Sequence, residues 1–239
     1  MTKNDGDSSA ITREYYDASY YRSHMLRLAQ NDRFTRVKVR RVFQLLKPRP
    51  SELILDLGSG VGTIMIAISD AGATPVGLDY SFRSLQLAQE NYKKSRPDSN
   101  FMGVCCDGRF FSLRDGSLDA VAAVDFTEHL NDTTLLATLE EVFRVLKKDG
   151  RFVLYTPSKT HVFERLKRHN IILKKDESHI GLRTMEEYRQ LLLKCGFVIV
   201  KSMFFSTDIP VFNTLESAVM RIPLVGGLAR RRIGVCASK

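Results

Sequence analysis

Leu53-Ile54-Leu55-Asp56-Leu57-Gly58-Ser59-Gly60-Val61-Gly62 joins a short apolar run to a turn in which every second residue is glycine. Such a run, bounded by glycine, reads as a strand buried on both faces. The glycines let the backbone turn sharply and let a ligand approach with no Cβ in the way. Their spacing, GxGxG at 58, 60 and 62, differs from the GxGxxG of dinucleotide-binding turns. The carboxylate of Asp56 sharpens the difference. Beside a pyrophosphate it would add repulsion, whereas beside a positively charged ligand it adds attraction. Ser59 and Gly60, inside the turn, join Asp56 and Gly58 as candidate ligand contacts.

Outward from this turn, strands and helices alternate. Strands are expected at 53–57, 74–78, 102–106, 118–124, 151–155, 197–205 and 233–237, and helices at 62–71, 81–94, 132–148 and 184–194. Thr184 and Glu187 form the sequence signature of a capping box for the last of these helices. Two polar-faced helices, 11–23 and 33–46, precede the core. The alternation predicts an α/β fold, a mostly parallel sheet covered by helices on both faces. With no internal repeat and no linker, residues 11–239 read as a single domain behind a polar, disordered tail at 1–10.

The second strand ends at Asp79, 79 − 56 = 23 positions on, where an acid in this topology accepts hydrogen bonds from ribose hydroxyls. Asp107 follows the third strand, in reach of an adenine amino group. Tyr80 and Gly108, next to these acids, are candidate contacts as well. Three acids at the carboxyl ends of successive strands outline one nucleoside-sized crevice.

Bulk properties narrow the class. The chain has 239 residues, 44% hydrophobic and 26% charged, as expected of a globular protein with a well-buried core. The polar start carries no secretory signal and no run of about 18 apolar residues is present, so a cytoplasmic protein is expected. Cys105, Cys106, Cys195 and Cys236 lack zinc or redox spacing. The net charge of +9 thickens at 36–41, 167–175 and 230–232, and suits RNA, anionic lipid or an anionic substrate.

LILDLGSGVG, VGLDYS, CCDGRF, LDAVAAVDFTEHL and LKKDGRFVLYTPS, in this order, resemble the successive motifs of class I methyltransferases that use S-adenosylmethionine (SAM). The resemblance runs from about Tyr15 to the end of the chain. It implies a doubly wound, seven-stranded Rossmann-like sheet with an antiparallel last hairpin, and N-terminal lid helices. It also implies that Asp56 and Gly58 serve the methionine end of SAM, Asp79 the ribose, and Asp107 the adenine with Gly108 and Arg109 beside it. Tyr15-Tyr16-Asp17 resembles a lid helix that folds over SAM, which makes Tyr16 a cofactor contact, and Arg36 is a candidate for the SAM carboxylate.

The end of the fourth strand, Asp125-Phe126-Thr127-Glu128-His129, is where acceptor chemistry belongs. His129 has a side chain suited to removing a hydroxyl proton near neutral pH, with Asp125 and Glu128 beside it as catalytic candidates and Asp125 also at the cofactor's edge. The same stretch resembles that of quinone-biosynthesis O-methyltransferases and small-RNA end methyltransferases, which show Glu-x-x-Glu-His with a later His and bind a divalent metal. This chain has Asp125 in the first position and His179 as the later candidate. A metal-free site is expected, because Asp125 is one carbon shorter than the Glu it replaces. The Asn/Asp-Pro-Pro-aromatic signature is absent, which disfavours DNA. O-methylation of a small molecule is the expected reaction. The rivals are an RNA methyltransferase, for which no appended RNA-binding domain is evident, an idle SAM-binding module, and a nicotinamide oxidoreductase using Tyr155 and Lys159. Segments 161–175 and 209–228, basic and apolar, read as a roof over the acceptor or as a contact with anionic membrane. Nothing in the sequence specifies an oligomeric state.

Overall fold

The structure is a computed structural model, and it describes residues 32–162, 164, 166, 178–206 and 229–239. Helix 11–23 and Tyr16 lie outside the described residues, as do segment 209–228 and most of 161–175. Seven strands form one sheet: β1 Leu53–Leu57, β2 Thr74–Asp79, β3 Gly103–Cys105, β4 Leu118–Val124, β5 Leu146–Pro157, β6 Val198–Phe205 and β7 Arg232–Ser238. Their order is β3-β2-β1-β4-β5-β7-β6. The chain reverses direction across the sheet between β1 and β4, which opens a crevice at their carboxyl ends. Only β7 runs against its neighbours β5 and β6.

Period-two alternation sends side chains to opposite faces. Leu55, Leu57, Val121 and Phe152 join one core layer, while Ile54, Ala120, Ala122 and Val153 join the other. Register then places the acids. Leu57 pairs with Leu78 on one side and Ala123 on the other, so Asp56, Asp79 and Asp125 reach the same edge.

Helix α1, Arg33–Leu46, is started by Asp32, whose side chain accepts from the Thr35 N–H at 2.7 Å. It buries Val42, Leu45 and Leu46 against the sheet. Arg151 fixes its far end by donating to the Leu46 carbonyl and to Glu52. α2, Thr63–Asp70, begins directly after the glycine turn. α3, Phe82–Ser95, is capped by Ser81 and α4, Asp132–Val145, by Asn131. α5, Met185–Lys194, carries the expected capping box, Thr184 with Glu187, a device that contributes about 1 kcal/mol.

Most element ends shift from expectation by one or two residues; the junction of α4 with β5 moves furthest, and β3 shortens. α4 stops at Val145 rather than 148, because Leu146 already pairs with Leu118 and begins β5, whose pairing shifts register before it resumes at Arg151. Asp149, inside this irregular stretch, takes the left-handed conformation, φ 63°. β3 shrinks to three residues at the sheet edge, with the Met102 carbonyl still accepting from Gly77. No helix among the described residues is long and apolar enough to cross a membrane.

Candidate active site

The glycine turn packs under β2. Gly58 and Ser59 both donate to the Leu78 carbonyl, at 2.8 and 3.0 Å. Gly58 has φ +75°, and a Cβ there would run into the ring of Phe126, 3.0 Å from Cγ. A Cβ on Gly60 would meet nothing within 4 Å among the described residues, which leaves room for a ligand beside it there.

Asp56 is 2% exposed. It accepts from the Met65 backbone, but its Oδ2, like the hydroxyl of Ser59, has no hydrogen-bond partner among the described residues. Burial pushes its pKa up to about 7, and the nearby charge of Asp79 adds to the rise. Such an oxygen calls for a donor or cation. Asp79 braces the turn, accepting from Gly60 and Ser81 backbone N–H groups at 2.9 Å each. Burial raises its pKa, and these hydrogen bonds pull it back. Tyr80 follows directly, its carbonyl 3.6 Å from the Cys105 thiol. Asp107 is engaged by its neighbour: Arg109 donates Nε at 3.0 Å and Nη2 at 2.8 Å, and holds the carboxyl below its usual range. Gly108 faces the Phe126 ring, which therefore lies between both glycines.

The fourth strand ends differently. Asp125 adopts φ +52°, a conformation that non-glycine residues visit at a cost of about 1–2 kcal/mol. It is held between Lys38 of α1, at 2.7 Å, and Arg232 of β7. Burial alone would raise its pKa, yet Arg232 and Lys38 outweigh burial and keep it well below the carboxylate range. Asp125 is thus the centre of an ion-pair cluster rather than a free acid. Arg36, expected to meet a carboxylate, is exposed, whereas Lys38 on the same helix reaches the end of the fourth strand.

Thr127–His129 form a 3-10 turn. Glu128, 1% exposed, accepts from the Thr156 hydroxyl at 2.9 Å. Half-buried His129 places Nδ1 2.9 Å from the Ser178 carbonyl. A carbonyl only accepts, so in the neutral ring Nδ1 carries the proton and Nε2 keeps the lone pair. His179 lies 5.3 Å away, ring centre to ring centre. Glu128, His129 and His179 bring one ligand atom each within 4.8 Å of one another, the only described group that could hold a metal; Asp125 does not belong to it.

Sequence reasoning missed Lys38, Arg232, Phe126, Ser178, Gly181 and Arg183. It read 230–232 as a basic cluster suited to an anionic partner, but Arg232 turns inward to Asp125, and Arg230 stacks on Phe204 at 4.6 Å. The Tyr155–Lys159 couple of an oxidoreductase does not form. Lys159 pairs with Glu187 at 2.9 Å, and the Tyr155 hydroxyl takes Arg41.

Sheet order, the acid-lined turn and the crevice at the β1/β4 reversal define the class I fold of SAM-dependent methyltransferases. Residues 54–150 match the family model described as a methyltransferase domain. The chain is 30% identical, over 71% of its length, to 24-methylenesterol C-methyltransferase 2 of Oryza sativa subsp. japonica, of which 47% is covered. It is 35% identical to the demethylmenaquinone methyltransferase of Beutenbergia cavernae, over 48% of this chain and 45% of that protein. The chain thus spans about half the length of the curated relatives it matches. Among solved structures, magnesium protoporphyrin IX methyltransferase of Synechocystis PCC 6803, with bound SAH, superposes with a TM-score of 0.70 at 19% identity, covering 95% of this chain and 97% of that one. Among the described residues, the open space at Gly60, the Asp56 oxygen without a hydrogen-bond partner and the acceptor oxygens of Asp79 fit a ligand that carries an ammonium and a ribose.

Proposed function

We propose that this protein moves a methyl group from SAM to a small-molecule acceptor, most directly an acceptor oxygen. The observation that carries the reading is the juxtaposition, at one sheet edge, of a buried acid-lined turn and a histidine whose Nε2 is left as an acceptor. SAM supplies a methyl group already activated on its sulfonium. The protein's part is then alignment and exclusion of water. Asp56 holds the ammonium, Asp79 the ribose, and Asp107 with Gly108 and Arg109 borders the adenine. His129 takes the acceptor's proton at Nε2. Glu128 shapes the turn from within, and Asp125 anchors it through Lys38 and Arg232.

A second reading is C-methylation, the reaction for which the similar 24-methylenesterol C-methyltransferase is named. There His129 would take a proton from carbon instead. Labelled SAM incubated with a cell extract, followed by identification of the labelled compound, separates the two. The cofactor half is tested first by melting. SAM or SAH at about 100 times its dissociation constant adds about 2.7 kcal/mol, or roughly 5–10 °C for a protein of this size. NAD giving that shift and SAM none overturns the reading.

A further inference from the structure

The turn that carries His129 is held from its far side by segment 178–183. Arg183, 4% exposed, spreads its guanidinium under the turn. Nη1 donates to the Thr127 carbonyl at 3.2 Å and to the Gly181 carbonyl at 2.6 Å. Nη2 donates to the Leu130 carbonyl at 2.9 Å. Nε and Nη2 both reach Asp132 Oδ1, at 3.0 and 2.6 Å. Thr127 opens the 3-10 turn and Leu130 follows it, so one planar cation spans both ends. The same segment contributes the Ser178 carbonyl to His129 Nδ1, and the Gly181 N–H to the Glu128 carbonyl at 2.8 Å. At Gly181 any Cβ would run into the Leu130 carbonyl oxygen, so the two backbones are in direct contact.

We propose that Arg183 is the positioning residue for His129: by tying the Thr127, Leu130 and Gly181 carbonyls together it keeps the Ser178 carbonyl on Nδ1 and fixes the lone pair on Nε2. The proposal rests on the reading of His129 as the base, but its central readout does not. Asp132 is largely exposed, so the ion pair contributes little and the guanidinium acts chiefly through its geometry. Five N–H donors in a rigid plane can serve three carbonyls and a carboxylate at once, whereas a lysine ammonium has three donors on a flexible stem. An imidazole whose Nδ1 loses its carbonyl is free to carry the proton on either nitrogen, and a base with its proton on Nε2 is inactive.

The test is the long-range proton–nitrogen spectrum of the imidazoles in uniformly ¹⁵N-labelled protein, with His129 assigned by H129Q. The wild type should show the Nδ1–H tautomer alone. An Nε2–H tautomer in the wild type overturns the proposal without any variant, which guards against R183K failing to fold. In folded R183K both tautomers should appear and SAH affinity should hold. Turnover, once an acceptor is known, should fall by about tenfold to a hundredfold. R183K that keeps a single Nδ1–H tautomer overturns the proposal. A mixed tautomer with unchanged turnover upholds Arg183 as the positioning group and removes His129 as the base.

Discussion

The proposed cofactor half of the crevice and its proposed acceptor half are built by different means. Around the glycine turn the decisive bonds are local: Gly60 to Asp79, Ser81 to Asp79 and Arg109 to Asp107 join residues 19, 2 and 2 positions apart. Around the fourth strand they are distant. Arg232 reaches Asp125 across 107 positions, Arg183 reaches Thr127 across 56, and Ser178 meets His129 across 49. The charges differ as well. The cofactor half buries acids and leaves an oxygen of Asp56 without a partner among the described residues, whereas the acceptor half surrounds its acid with cations. One half is written into a short stretch of chain and completed by a ligand. The other is closed by the protein itself.

If the halves are separable, His129→Ala should give the largest effect and confine it to one side. Turnover should fall by about a hundredfold to ten-thousandfold, with SAM affinity by calorimetry unchanged; a parallel loss of affinity would break the division. Asp79→Ala should do the reverse. Loss of charge-assisted hydrogen bonds of about 1.5–3 kcal/mol weakens SAM about tenfold to hundredfold, while turnover at saturating SAM stays near wild type. Unchanged affinity in the folded variant would reduce Asp79 to a brace for Gly60.

Acidity sharpens the same comparison. The Asp56 carboxyl is raised from 3.8 to about 7 in the folded protein, so it stays protonated there while the unfolded chain has lost the proton. Its contribution to stability is therefore full below about pH 4 and is lost as pH rises through 7. The ammonium of SAM wants the carboxylate, so affinity should climb by up to about tenfold per pH unit below 7 and level off above it. Asp56→Asn should flatten that profile, and a wild-type profile already flat from pH 5 to 8 would count against the buried acid. The smallest effect is expected on chelation. Excess chelator should leave turnover unchanged, and loss restored by magnesium would hand Glu128, His129 and His179 to a metal.

What was legible follows the same line. Helix 33–46 and strands 53–57 and 118–124 were readable to the residue, as were the glycine turn and the acids after it, because propensity and spacing act within a few positions. Lys38 and Arg183 gave no such signal, since only the tertiary fold brings them to residues 87 and 56 positions away (125 − 38 = 87). Arg232 left a trace that went unused. Strand alternation from Ile233 and Val235, on one core face, sends Arg232 to the opposite face beside Tyr155. Phe126 was in view within the acceptor motif, but nothing local showed that its ring fills the space that Gly58 and Gly108 leave open.

That ring gives the two halves a common wall. Phe126 belongs to the acceptor loop by sequence and to the cofactor turn by contact. A displacement on one side is therefore felt on the other, and the energy of that coupling has to be equal in both directions. Whatever factor bound SAM adds to the acceptor's affinity, the acceptor adds to that of SAM. A smaller side chain at 126 should weaken that coupling, read as a smaller change in SAH affinity when the acceptor is present.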